Sequence, residues 1–148
     1  MGFVSITRDL NPTDFVHSLL TTHCPSVPPL FVSRILPVEL ACAPNLQSFH
    51  SVVVPAIESK FKGLDRDTTW KIVFDKHGLT NITKDRAIEL AQSTIEERHE
   101  VSITDPDIVI MIQITHTICG VSFLPDYDQL AEYNIRKLVS RRAQSGSK

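Results

Sequence analysis

Glycine, cysteine and long apolar runs are all scarce in this chain, and each scarcity removes a class of function. Only five glycines occur, at positions 2, 63, 78, 120 and 146. They are too few and too scattered to build a GxGxxG dinucleotide turn or a phosphate-cradling P-loop. The three cysteines, Cys24, Cys42 and Cys119, are odd in number and form no CxxC pair, so neither a disulfide framework nor a zinc knuckle is expected. Six histidines are present but no HExxH, and no metal site is expected. No apolar run reaches the ~18 residues of a membrane span, and Arg8 and Asp9 interrupt the N-terminal stretch, so neither membrane insertion nor secretion is expected. Buried thiols in a reducing compartment are the simplest reading. An excess of positive charge is missing too. The formal net charge is -2, which rules out gripping nucleic acid by bulk electrostatics and leaves local patches to do it.

What is present is the composition of a folded domain. The 148 residues are 42% hydrophobic and 22% charged, the size and balance of one globular unit with one core. Charge is uneven along the chain. From Leu130 onward five basic residues (Arg136, Lys137, Arg141, Arg142, Lys148) face a single acid, Glu132, whereas residues 105–128 hold four acids and no Lys or Arg.

Periodicity predicts the elements. Asn11 and Pro12 open a helix to about Thr22 with Phe15, Leu19 and Leu20 on one face. Three prolines, Pro25, Pro28 and Pro29, make the next stretch a connector. Residues 31–42 alternate as a strand carrying Pro37, and Leu46, Phe49, Val53 and Ile57 mark a helix that Pro55 should kink or divide. A strand over 69–75 follows, then a helix capped by Thr83 with Ala87, Leu90, Ala91, Thr94 and Ile95 on its buried face. The β-branched run 108–114 reads as a central strand and 118–124 as its neighbour; 127–139 is partly helical, and 140–148 reads as a frayed polar tail. The order predicts an α/β (α+β) domain with helices covering a mixed sheet.

No catalytic constellation assembles from these elements. The acid pairs Asp105/Asp107 and Asp126/Asp128 flank prolines at strand ends, where Asp serves turns by bonding nearby backbone. Cys119 lies in an apolar strand and reads as a core thiol. Basic residues do gather on the middle elements. Lys60, Lys62, Lys76, His77, Lys84 and Arg86, with Arg34 earlier, are the candidate phosphate contacts, with the amides at the start of the Lys84 helix beside them. Arg34 competes with a role pairing an acid across the sheet.

Several stretches taken in order carry a family resemblance: Arg34-Ile35-Leu36-Pro37-Val38, Trp70-Lys71-Ile72-Val73-Phe74, and Val101-Ser102-Ile103-Thr104-Asp105-Pro106-Asp107-Ile108-Val109-Ile110. Ile118-Cys119-Gly120-Val121-Ser122, Asp126-Tyr127 and Tyr133-Asn134-Ile135 complete the set. Together they resemble the THUMP domain, and within it the eukaryotic adaptors that work with the RNA cytidine acetyltransferase to form N4-acetylcytidine in leucine and serine tRNAs. The resemblance implies a THUMP-like mixed sheet of about four strands over 31–138, preceded by a helix and connector (1–30) and followed by a polar tail (139–148). It implies a non-catalytic tRNA-binding adaptor without a cofactor or small-molecule substrate of its own, partnered by tRNA and the acetyltransferase, in the nucleus or nucleolus or in the cytoplasm. Two departures stand out: Asp75-Lys76-His77-Gly78 follows the second strand where relatives tend to be more basic, and there is no long charged tail. A subunit or fragment of another tRNA-modifying enzyme (methyltransferase, thiouridine or pseudouridine synthase) and a protein interaction module without an RNA role are the competing expectations. The chain's start methionine and polar end weigh against the first of these, and its mildly acidic pI favours the second.

Overall fold

A computed structural model describes residues 11–22, 35–78 and 80–146; Arg34, the connector and residues 31–34 of the expected first strand lie outside them. The chain divides into two compact units, Val38–Asp126 and the flanking segments Met1–Pro37 with Tyr127–Lys148.

The central unit is built on one sheet in the order β1-β4-β3-β2, with β1 spanning Leu40–Cys42, β2 Trp70–Lys76, β3 Ile108–Ile114 and β4 Cys119–Pro125. β2 pairs parallel with β3, β3 antiparallel with β4, and β4 antiparallel with β1. This is the mixed four-stranded sheet of the α/β expectation. The register puts Ile72, Ile110 and Phe123 in one row and Ile112 with Val121 in the next, so one face is continuously apolar. Against it pack Phe49, Val53, Ile57 and Phe61, spaced four apart on a helical stretch, and Ala87, Leu90 and Ala91 of α4 (Lys84–Thr94). All of these are buried. Alternate residues of the central strands, Val109, Met111 and Leu124, are buried as well, which is why the run 108–114 shows no polar alternation.

Pro55 does not divide the helix after Pro44. Residues 46–62 are helical throughout: α2 (Leu46–Ser48), a π-helical turn (Phe49–Val53) and α3 (Val54–Lys62). The Val54 N–H bonds back five residues to Phe49 C=O. That slip in register just before the proline removes the clash and the missing bond that would otherwise break the helix. Asn45 caps the start by accepting from the Ser48 N–H at 2.8 Å.

The first strand is shorter than the alternation over 31–42 predicts, because residues 35–39 are not strand. Pro37 offers no N–H, and the Glu39 carboxylate accepts the Phe123 N–H at 3.1 Å. A side chain thus takes the β4 amide beyond the end of the backbone ladder.

Cys42 and Cys119 face each other across β1 and β4. Burial, then the neighbouring Cys42, push the Cys119 thiol up to about 12 from its ordinary 9.0. An acid held protonated by the fold stabilises it fully below the unfolded value, and that stability is lost as pH rises from 9 toward 12, because the unfolded chain ionises first. Urea melts should show the wild type losing about 1 kcal/mol more than Cys119→Val between pH 8 and 10. Equal losses would disprove this.

The flanking unit contains α1 (Pro12–Thr21), capped by Asn11, and α5 (Ile135–Gly146). α5 continues seven residues past the expected limit of the helix at Val139. Its polar surface residues hold it: Arg142 donates to Leu20 C=O at 2.8 Å and Arg141 to Asp128 C=O at 2.9 Å. Tyr127 stacks on Tyr133 across 6.3 Å, and Ala131, Glu132 and Tyr133 have φ of 53, 60 and 59°, a left-handed turn that predictions of ordinary helix miss. Among the described residues no helix is long and apolar enough to cross a membrane.

Candidate nucleic-acid interface

Strand direction sorts the candidate residues into two groups. β2 ends at Lys76 beside the end of β3, the hairpin 115–118, and the end of β1. His77 N–H bonds Ile114 C=O at 2.7 Å. Gly78 is pressed against the hairpin; a Cβ there would lie 2.9 Å from the His116 nitrogen and the Thr115 carbonyl carbon, so only glycine lets the two loops approach this closely. Thr80 donates to Pro44 C=O at 2.7 Å and Asn81 accepts from the Leu46 N–H at 2.7 Å. These bonds bring the start of α2 and the start of α4 to the same end. Thr83 caps α4 by accepting from the Arg86 N–H at 3.2 Å, which leaves the first-turn amides at Lys84 and Asp85 directed outward. Lys76, His77, Lys84 and Arg86 therefore share one rim of the sheet, joined by His116, which the sequence reading did not single out.

Within that rim the charges differ in availability. His77 Nε2 lies 2.8 Å from Asp75 Oδ1, and Arg86 lies 3.0 Å from Glu89 Oε1. Lys76, Lys84 and His116 are exposed and have no ion-pair partner among the described residues. The two lysines are the cations an incoming phosphate can engage without breaking an existing pair.

Lys60 and Lys62 are at the opposite end. The stretch 46–62 starts at the rim and runs away from it to where Phe61 meets Trp70, the first residue of β2, at 6.3 Å between ring centroids. With about 1.5 Å of rise per helical residue and 3.3 Å per strand residue, the two groups are roughly 20 Å apart. Lys60 Nζ sits 5.9 Å from the centre of the Phe123 ring, a cation-π arrangement. Lys62 donates to Glu58 at 2.6 Å, and that bond and charge push its ammonium up. Arg98 is held by Asp67 and Glu96 and donates to Leu64 C=O. This end is largely self-neutralised.

The acid pairs have structural duties. Asp107 accepts the Thr69 N–H at 3.0 Å while its own N–H donates to Thr69 Oγ1 at 2.9 Å, and Asp105 and Asp126 occupy turns at φ 49 and 55°. Among the described residues no group of three His, Cys, Asp or Glu could hold a metal ion.

The site is thus a rim of basic side chains at one end of a helix-backed mixed sheet. The chain belongs to the THUMP domain family, whose pattern matches residues 43–124, from the end of β1 through β4. It is 24% identical over 111 residues to human THUMP domain-containing protein 1, covering 73% of this chain and 31% of that protein. The mouse and bovine proteins of that name are 23% and 22% identical, over 77% and 73% of this chain. The chain spans about a third of the length of these relatives. The family points to RNA binding in tRNA modification.

Proposed function

We propose that this chain is a non-catalytic adaptor that binds tRNA of the leucine and serine type and presents it to an RNA cytidine acetyltransferase for N4-acetylcytidine formation. The observation that supports it is the coincidence of the THUMP family match with two exposed cations, Lys76 and Lys84, that have no ion-pair partner among the described residues, on a rim that also offers the α4 amides. A chain of net charge -2 has no general affinity for polyanions, so a confined rim matches the need for one oriented RNA contact. Chemistry, acetyl donor and energy source belong to the enzyme; the adaptor contributes binding energy that holds a folded arm of the RNA in place. A nuclear, nucleolar or cytoplasmic location is compatible with this reading.

Fluorescence anisotropy of labelled leucine tRNA with the purified chain, with and without the acetyltransferase, at two salt concentrations, tests it. Binding that is tightened by the enzyme and weakens steeply with salt is expected. Absence of tRNA binding in all four conditions would overturn the proposal in favour of a protein interaction module.

A further inference from the structure

The basic residues of α5 take no part in the rim. Asn134 accepts the Lys137 N–H at 3.0 Å and so caps the start of the helix. Arg136 and Lys137 therefore stand in its first turn, which contains no acid. That turn carries the positive end of the helix dipole, and cations there cost stability. At about 100° per residue, Arg136, Ser140, Lys137 and Arg141 fall within an arc of roughly 140°, and all four are exposed. Ile135, Leu138 and Val139, on the other side of the helix, are buried. The exposed arc walls a groove of about 340 Å³, lined among the described residues by those four side chains.

The charge of this face is fixed in place more than it is neutralised. Arg136 already has a partner. Arg141 gives one N–H to Asp128 C=O at 2.9 Å, which leaves the other donors of its guanidinium available. A carbonyl holds the group without cancelling its charge. Lys137 has no side-chain partner among the described residues. Ser140 adds a hydroxyl between them.

We propose that this face of α5 is a second phosphate-binding surface, which takes the sugar–phosphate backbone of RNA without reading its bases. It extends the RNA-binding reading above and rests on it. Phosphate oxygens accept, and Arg136, Lys137 and Arg141 can only donate. Among the described residues no aromatic or apolar side chain lines the groove. It therefore offers neither a stacking platform for bases nor the apolar anchor around which a protein partner's binding energy gathers. An anionic membrane fits poorly as well, because the apolar side of α5, which would have to enter the lipid, is already buried. A pair of cations set against the helix dipole breaks a local rule of stability, and such breaks fall at sites kept for binding.

The probe is a short RNA hairpin titrated into the full ¹⁵N-labelled chain, followed at the backbone amides and the arginine Nε–H groups. Shifts are expected at Lys137, Ser140 and Arg141 as well as at Lys76 and Lys84, and both sets should fade as salt rises. Lys137→Gln should lower the slope of log affinity against log salt by about 0.7–0.9, and Lys137→Arg should bind as the wild type does. Lys137→Glu with Ser140→Glu should weaken the hairpin roughly ten-fold, as like charges are brought together. A carboxylate at position 137, the third residue after the cap, suits the start of a helix, so misfolding would not explain that loss. Shifts at Lys76 and Lys84 with none on α5, or undiminished binding by the glutamate pair, would overturn this inference and leave the RNA reading standing. Shifts on α5 alone would support it and remove the rim from the interface. No shift at either place would overturn both. Polyglutamate of matched charge that shifts α5 as strongly as the hairpin does, at the same salt, would overturn it in favour of an acidic protein partner.

Discussion

Trp70→Ala should lower unfolding free energy by about 3–5 kcal/mol, the range for truncating a buried aromatic. Trp70 is 2% exposed and forms the first residue of β2. Its ring meets Phe61 edge to face at 68°, and its indole N–H donates to His99 C=O at 3.1 Å. His99 in turn receives the Thr68 N–H on Nδ1 at 3.0 Å and packs edge-on against Phe61 at 5.4 Å. Removing the indole therefore opens a cavity where α3, β2 and the 96–102 segment meet, and strands a buried carbonyl. Trp70→Phe separates the two effects: it retains most of the ring and loses only the N–H, for a cost of about 1–2 kcal/mol. Urea denaturation of both variants checks this. If the alanine variant lost less than the phenylalanine variant, the cavity account would be wrong. A domain of this size has about 5–15 kcal/mol in total, so the alanine change consumes a large share of it.

The elements with strong single signals were legible in the sequence. Asn11 and Thr83 cap their helices, and the runs over 69–75, 108–114 and 118–124 become strands within a residue of the expected limits. Hydrophobic period and cap chemistry act within a few residues, so a sequence states them directly. Three features were not legible: two depend on partners far along the chain, and one on a helix register that local propensity does not set. The first strand gives way where a Glu39 carboxylate bonds an amide 84 residues away. Pro55 is tolerated through a register slip that no propensity encodes. α5 extends to Gly146 while Arg142 holds a carbonyl of α1. The candidate interface shows the same limit. Nearness in sequence put Lys60 and Lys62 with Lys76 and Lys84, but chain direction carries the two pairs to opposite ends of the sheet. Only the parallel pairing of β2 with β3, a long-range property, reveals which basic residues share a rim.

That separation makes a sharp expectation for RNA binding. Lys76→Gln with Lys84→Gln should reduce the slope of log affinity against log salt by about 1.4–1.8, since each phosphate contact contributes roughly 0.7 to 0.9. At about 1 kcal/mol for each exposed ionic contact, the pair should weaken tRNA binding roughly 30-fold at moderate salt. Lys76→Glu with Lys84→Glu should exceed this, because repulsion replaces attraction. Arg86→Gln should cost less than either lysine, as Glu89 already occupies its guanidinium at 3.0 Å. Lys62→Gln should change little for the same reason, given its bond to Glu58. Neither lysine of the rim touches the core, so circular dichroism melts of the double variant should match the wild type. The outcome that would move the interface is a full effect from Lys60→Gln with none from the rim pair. In that case the end of the sheet where Lys60 covers Phe123 would be the RNA-facing one.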